Sequence, residues 1–472
     1  MKKGVCLLLA LCLLAWAVPA MALRNYTAEY DLSQGSVIIG AEGTYRVYQS
    51  GGGSTGNTIT VRSNCSLVLD GVNILVPKPD STYDYDKPNP LNIDGAYSVQ
   101  LHLADGTVNN LQSEEGLDVG SPLRCGSGRA GLRVPAGASL TISGDSGVLN
   151  AYGAQGHNTS SGSAHAGGGA GIGGDGGASS WREDAGEASG SVTINGGVVN
   201  AMGRDPQGWW GGGGSGIGSG GAAYRYHSSK SGPITINGGT VTAGVVGKFG
   251  GSPLGAGADG GTQGTMPYHN SPSSCAPVQI NGGTVVLNYH QNLKQNESLS
   301  VSSGATLVVA EGASLTLGSG SQVLNNGNVV NYGSIVNGGA FQNDGYLESM
   351  PPASVTGNPV AGNDILTEHL WGDAPCTECR PCIVCGVLED APRGHRFQNG
   401  VCVVCQAPDP SYHPPVAEPD DPPPVAEPDD PPAVPKTGDP HHPALWLMLL
   451  GISAAGVAMP WLGRRSRGAS PR

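Results

Sequence analysis

The chain has 472 residues with 78 glycines, 3 phenylalanines and 13% charged residues, a composition too rich in glycine and too poor in aromatics for an ordinary globular core. It has no Gly-X-Y period, which excludes a collagen triple helix. The net charge of -13 argues against nucleic acid as a partner, because neutralising phosphates requires clustered Lys and Arg.

Met1-Lys2-Lys3, an apolar run from Val5 to Val18, and Ala20-Met21-Ala22 have the basic end, apolar middle and small-residue cleavage site of a secretory signal. Residues 1–22 are expected to be removed after Ala22, leaving an exported protein; a retained membrane anchor is the alternative.

From Leu23 onward the sequence is a succession of short alternating runs, such as Thr44–Tyr48, Ser66–Leu69 and Val99–Leu103, each bounded by Gly, Asn, Asp or Ser. Strands this short cannot bury a face alone and must stack. The same unit then returns at intervals of about 40 to 50 residues: Ser191–Ala201 reads SVTINGGVVNA, Pro233–Ala243 reads PITINGGTVTA, and Pro277–Val286 reads PVQINGGTVV. A looser copy begins at Ser139-Leu140-Thr141-Ile142. Each is strand, turn, strand, with Asn-Gly-Gly supplying the positive φ of the bend. A glycine-dense motif alternates with it. Gly171-Ile172-Gly173-Gly174-Asp175-Gly176-Gly177 aligns with Gly216–Gly221 and with Gly255-Ala256-Gly257-Ala258-Asp259-Gly260-Gly261. No Gly-Lys-Ser/Thr or helix follows, so this is no phosphate loop. The expected fold is all-β, a right-handed parallel β-helix over residues 23–350. It closes in a six-residue repeat over 325–348, with Asn, Gly and an apolar residue at fixed offsets and Asn free to stack.

The alternation of Gly-Ile-Gly and Ile-Asn-Gly-Gly rungs, with the run from Leu101 to Leu111 that leads to Ser139–Ile142, resembles the Gram-positive cell-surface β-helix proteins described as carbohydrate-binding. Some of those are associated with pectin-type polysaccharides. The resemblance spans about residues 33 to 290 and implies a binding or adhesion role for carbohydrate or a host-surface glycan.

The residues offer their own pointer to a ligand surface. Variable excursions after the glycine-dense rungs carry Trp181 and Arg182, then Tyr224 and Tyr226, then Tyr268, with Trp209 and Trp210 in a preceding segment. Stacked repeats would bring equivalent excursions to one side as an aromatic ladder for sugar rings. The alternative is that these rings fold back over the flank of the coils. Asp175 and Asp259 offer oxygens for calcium, or are plain turn residues. No spacing puts two carboxylates on adjacent rungs of one face, so catalytic residues are expected to be none. A polysaccharide lyase or hydrolase on the same scaffold, or a passive stalk, are the alternatives.

After a linker at 351–375, residues 376–405 hold Cys376, Cys379, Cys382, Cys385, His395, Cys402 and Cys405. Cys382-x-x-Cys385 and Cys402-x-x-Cys405 have the spacing of two zinc knuckles, with Cys376, Cys379 and His395 as alternative ligands; disulfides compete with structural zinc. The Gly394–Cys402 segment resembles short ribbon-like cysteine modules of other Gram-positive surface proteins. Residues 406–433 repeat Pro, Asp and Glu and should form an extended spacer. Val434-Pro435-Lys436-Thr437-Gly438 resembles the Leu-Pro-x-Thr-Gly sorting signal of Gram-positive wall proteins. An apolar span at 444–463 suited to a transmembrane helix and a basic tail at 464–472 follow it. That resemblance implies a sortase cutting after Thr437 and joining it to peptidoglycan, with a plain membrane anchor as the alternative.

Overall fold

The computed structural model describes residues 25–77, 88–114, 127–156, 166–177, 185–206, 211–223, 230–260, 275–373, 376, 378–389 and 394–411. The signal segment, the spacer beyond residue 411, the sorting motif, the span 444–463 and the basic tail lie outside these residues. Residues 1–407 form one compact unit and 408–472 a second. Among the described residues the one helix is a 3-10 turn at Leu32–Gln34, and no helix is long and apolar enough to cross a membrane.

The alternating runs become strands whose partners lie one coil earlier and one coil later in the chain. Three long parallel sheets result, of twelve, ten and seven strands, and a four-stranded sheet joins them in the C-terminal coils. This is the architecture of a parallel β-solenoid. The Ile-Asn-Gly-Gly units lie in register as their sequences align: Ser139–Ile142 pairs with Ser191–Ile194, whose Val192–Ile194 pairs with Ile234–Ile236, and these with Val278–Ile280. Inward positions form a continuous aliphatic column of Leu67, Leu101, Ile142, Ile194, Ile236, Ile280 and Val301. All are buried, each contributing roughly 1.5–3 kcal/mol of transfer free energy.

Two glycines of the repeat do different work. The second has positive φ, +81° at Gly197 and +82° at Gly239, a region L side chains avoid. The first is fixed by proximity, since a Cβ at Gly196 would fall 2.4 Å from the Gly144 carbonyl oxygen below it. The glycine-dense segments 166–177 and 211–223 are buried throughout, and their backbones pair directly, Gly168 N to Gly212 O at 2.9 Å and Gly177 N to Gly221 O at 2.8 Å. Backbone here takes the place that side chains fill elsewhere.

Coil length then contracts. Asn195, Asn237 and Asn281 are 42 and 44 residues apart and bonded amide to amide on the surface. Asn325 and Asn343 are only 18 apart, so one hexad now serves each face. The inward columns change chemistry at the same point, Val301 giving way to Asn325, Val309 to Asn331 and Leu317 to Asn337. Asn325 donates to Asn343 Oδ1 (2.7 Å) and Tyr346 O (2.9 Å) and accepts from Gly327 N (3.1 Å). Of the expected ladder, one amide-to-amide rung, Asn325 to Asn343, is seen among the described hexad residues, while Asn331 and Asn337 bond to Ser349 and to backbone carbonyls.

One buried carboxylate lies outside this pattern. Asp205 is 7% exposed and accepts from the backbone N–H groups of Lys248 and Phe249. Burial pushes its pKa above the ordinary carboxylate value, against the lowering effect of those two donors.

Two outcomes follow from these observations. Asn325→Ala leaves buried backbone groups unpaired and should cost about 1–3 kcal/mol, read from the urea midpoint, whereas Asn195→Ala on the exposed ladder should change it by less than about 0.5 kcal/mol. Because the folded pKa of Asp205 is raised, its contribution is most favourable below the ordinary carboxylate pKa and is lost as pH rises through the raised value. Asp205→Asn should therefore gain on the wild type as pH increases from 4 to 7 in paired urea titrations; a difference independent of pH would refute the assignment.

Candidate binding groove and metal centres

The seven-stranded sheet presents Thr60, Asn92 and Arg133 outward in register, followed by Gly173, Gly218 and Gly255. Thr60, Asn92 and Arg133 line a groove of about 720 Å³. Arg133 is its hub. Its guanidinium engages both oxygens of Glu187 and donates to Asn92 Oδ1 at 3.0 Å, and its Nε lies 3.7 Å from Asp175 Oδ2. Burial alone would lower the Arg133 pKa, but Glu187, Asp175 and Asp94 hold it above its ordinary value, so the group stays cationic. Arg62 and Asp94 add a second pair at 2.7 Å. Guanidinium, amide and carboxylate groups in a volume of this size suit a polar, hydroxyl-rich ligand.

Asp175 takes a structural role here. Its Oδ1 accepts from Asn89 Nδ2 (2.6 Å) and Ala130 N (2.7 Å), and its Oδ2 accepts from Arg129 Nη1 (2.8 Å). It clamps separate coils together. The alignment that matched it to Asp259 is also corrected by two residues. Ile172 pairs with Ile217 as aligned, but Ile217 pairs with Leu254 and not Ala256, because Leu254 fills the inward position. Asp175 and Asp259 are both buried, yet they do not occupy equivalent rungs as a calcium pair would.

Trp181, Arg182, Trp209, Trp210, Tyr224, Tyr226 and Tyr268 lie outside the described residues; the ends of their segments do not. Segments 178–184, 224–229 and 261–274 each leave between a strand of the seven-stranded sheet and the next strand of the twelve-stranded one. Their flanks are bonded coil to coil: Gly177 N to Gly221 O, Ala222 N to Ala258 O, Gly232 N to Ser189 O and Ala276 N to Ser231 O. The described ends of the three segments therefore share one edge. Segment 207–210, with Trp209 and Trp210, leaves from the other edge of the seven-stranded sheet, which separates the ends of that segment from the other three. Gly177 and Ala185, the two ends of the Trp181 segment, line the groove, as do Pro88 and Ser127 at the ends of two earlier segments. Sequence reading missed the groove because Arg62, Asn92, Arg133 and Glu187 converge only through coil register.

Among the described residues, two groups in and beside the cysteine-rich module are able to hold a metal ion. One is Cys376, His395, Cys402 and Cys405; the other is Glu348, His369, Cys382 and Cys385. The ligand atoms within each lie within 4.8 Å of one another. Cys382-x-x-Cys385 and Cys402-x-x-Cys405 thus belong to different groups instead of forming one four-thiol site. Cys376 and His395 join the second pair, and Cys379 belongs to neither group.

The two groups rest on the same local fold. Trp371 bridges Cys382 and Phe397 pairs with Cys402; Ile383 N bonds Leu370 O and Val403 N bonds Arg396 O; Gly386 N bonds Cys382 O and Gln406 N bonds Cys402 O. The residue after each second cysteine has positive φ, +75° at Gly386 and +57° at Gln406. These are two copies of one knuckle. Backbone donors from Cys405 and Val404 hold the Cys402 thiol down to about 5, while burial pushes Cys376 up to about 11 and Cys385 up to about 12. Cys65 and Cys275 are buried in the coils, and burial raises both thiols; Cys125 lies outside the described residues.

Comparison with family models, with curated proteins and with solved structures returns no match to this chain.

Asp175→Ala removes a 9%-exposed side chain from two guanidinium groups and should cost roughly 3–5 kcal/mol. Glu187→Gln, which keeps the shape and removes the charge, should cost less. Thermal unfolding of both variants checks the order, and equal losses would mean that Asp175 is not the clamp.

Proposed function

We propose that this is an exported, wall-anchored surface protein that binds carbohydrate without chemical conversion, using the groove on the seven-stranded sheet and the aromatic excursions along its edge. One observation carries the reading. Both ends of the Trp181 segment line a groove already furnished with Arg133, Asn92, Arg62 and Asp94, and the Tyr224–Tyr226 and Tyr268 segments leave from the same edge on the following coils. Polar groups arranged to bond hydroxyls, beside rings that stack on sugar C–H faces, are the usual elements of carbohydrate recognition. Export, the Val434–Gly438 sorting motif, the span 444–463 and the acidic spacer belong to the same proposal: a sortase would join Thr437 to peptidoglycan and the spacer would hold the body away from the wall. Right-handed winding is the sense favoured for parallel crossovers, and zinc is the metal that suits mixed thiolate and imidazole ligands.

A second reading, a polysaccharide lyase, draws on the arginines and carboxylates of the groove. Against it, Asp94, Asp175 and Glu187 are each engaged by an arginine, and a cationic Arg133 cannot accept a proton. A third, a passive stalk, requires no ligand.

The test is retention of the protein on a panel of plant, host and bacterial polysaccharides, with reducing and unsaturated ends recorded. Retention without products, reduced at least tenfold by Trp181→Ala and by Arg62→Ala, is the expected result. Product formation would establish the lyase reading. Failure to be retained on any polysaccharide would leave the stalk.

A further inference from the structure

The knuckle nearer the solenoid has an incomplete ligand set of its own. Cys382 and Cys385 come from its turn and His369 from its first arm; the fourth ligand-bearing residue of the group, Glu348, belongs to the solenoid strand Tyr346–Ser349. The position of Glu348 in that sheet is anomalous. Its outward column reads Val286, Val308, Val330, Glu348 and Leu366 in register. Val330 is buried there with Cys382 and Val384, and Val308, Leu366 and Trp371 pack around them. A carboxylate thus stands in an apolar column, 1% exposed, beneath the module. Burying it there is costly unless something charged meets it.

What meets it is arranged as a coordination shell. Glu348 Oε1 lies 3.1 Å from His369 Nδ1, and Glu348 Oε2 lies 3.2 Å from Cys382 Sγ. His369 Nδ1 lies 3.5 Å from Cys385 Sγ. A tetrahedral ion with bonds of about 2.3 Å to sulfur and about 2.0–2.1 Å to nitrogen and oxygen would place such ligand pairs about 3.3–3.6 Å apart. The other knuckle shows comparable separations, 3.6 Å from Cys376 Sγ to Cys402 Sγ and 3.3 Å from Cys405 Sγ to His395 Nδ1.

We infer that Glu348, His369, Cys382 and Cys385 form a structural zinc site that fastens the cysteine-rich module to the side of the solenoid, separate from a second zinc in the Cys376, His395, Cys402 and Cys405 site. The ion offsets two of the three negative charges that the buried carboxylate and the two thiolates bring together, and holds Trp371 and Val384 over Val330. The sites are chained: the solenoid supplies one ligand to the first knuckle, and the stretch leading out of His369 supplies Cys376 to the second.

The experiment uses the intact chain, purified under reducing conditions and loaded with zinc, with metal content measured after exhaustive dialysis and again after cobalt(II) exchange. The wild type should hold two metals per chain. Glu348→Gln and His369→Asn should each hold one, and the cobalt spectrum should keep the thiolate charge-transfer bands of the three-thiolate site while losing those of the two-thiolate site. Cys405→Ser should show the converse loss. The retained metal in each variant reports that the module is folded. If Glu348→Gln precipitates, His369→Asn decides the question, because that side chain is not part of the solenoid. A wild-type content of one metal or none, a Glu348→Gln or His369→Asn protein that keeps two, or a Cys382–Cys385 disulfide in a parallel preparation made without reductant, would overturn the site.

Discussion

Everything in this molecule depends on backbone hydrogen bonds running from each coil to the next. A strand of three or four residues has no stability alone, and here most of the described strands are paired on both sides by chain far from them in sequence. Such a stack satisfies backbone donors and acceptors in its interior at the cost of demanding strict register. Where coils approach most closely, as at Gly173 and Gly218, a Cβ would fall 1.8 and 1.9 Å from the carbonyl oxygen of the next coil. The high glycine content is therefore a packing requirement and no sign of disorder.

This constraint also decides where chemistry can reside. Inward positions are occupied by columns of aliphatic residues, joined in the C-terminal coils by asparagines, so reactive groups are left with outward columns and corners. The groove uses an outward column, Thr60, Asn92 and Arg133, and extends it with corner residues such as Asp94 and Glu187. The cysteine-rich module uses another, covering Val330 and Glu348. Both are places where the regular alternation of buried and exposed residues breaks: Arg133 and Glu348 are outward in register yet withdrawn from solvent.

Much of the scaffold was legible from the chain alone. The Ile-Asn-Gly-Gly copies announce their register because each aligned residue, from Ser139 and Ser191 to Ile194 and Ile236, pairs with its counterpart. The hexads announce an 18-residue coil. The glycine-dense rungs were harder, since glycine gives an alignment little to hold, and the Leu254 rung was displaced by two residues for that reason. The groove was not legible, because residues such as Arg133 and Glu187 are 54 apart and meet only after the coils are wound. The grouping of the candidate metal ligands was hidden on similar grounds. Spacing identifies Cys-x-x-Cys knuckles, but it carries no information about Glu348, a residue in a repeat whose other members are scaffold.

The shortening of the coils has a consequence for the evolution of chain length. In the wide coils, segments such as 178–184 leave and rejoin at bonded corners, so their lengths can vary without disturbing the stack. In the hexad region each face takes one hexad and a full circuit takes three, so length there behaves as a phase. Adding or removing a single hexad turns every later face by about a third of a revolution and takes Glu348 out of the column that holds Val330. Only whole circuits preserve the angle at which the solenoid meets its terminal module.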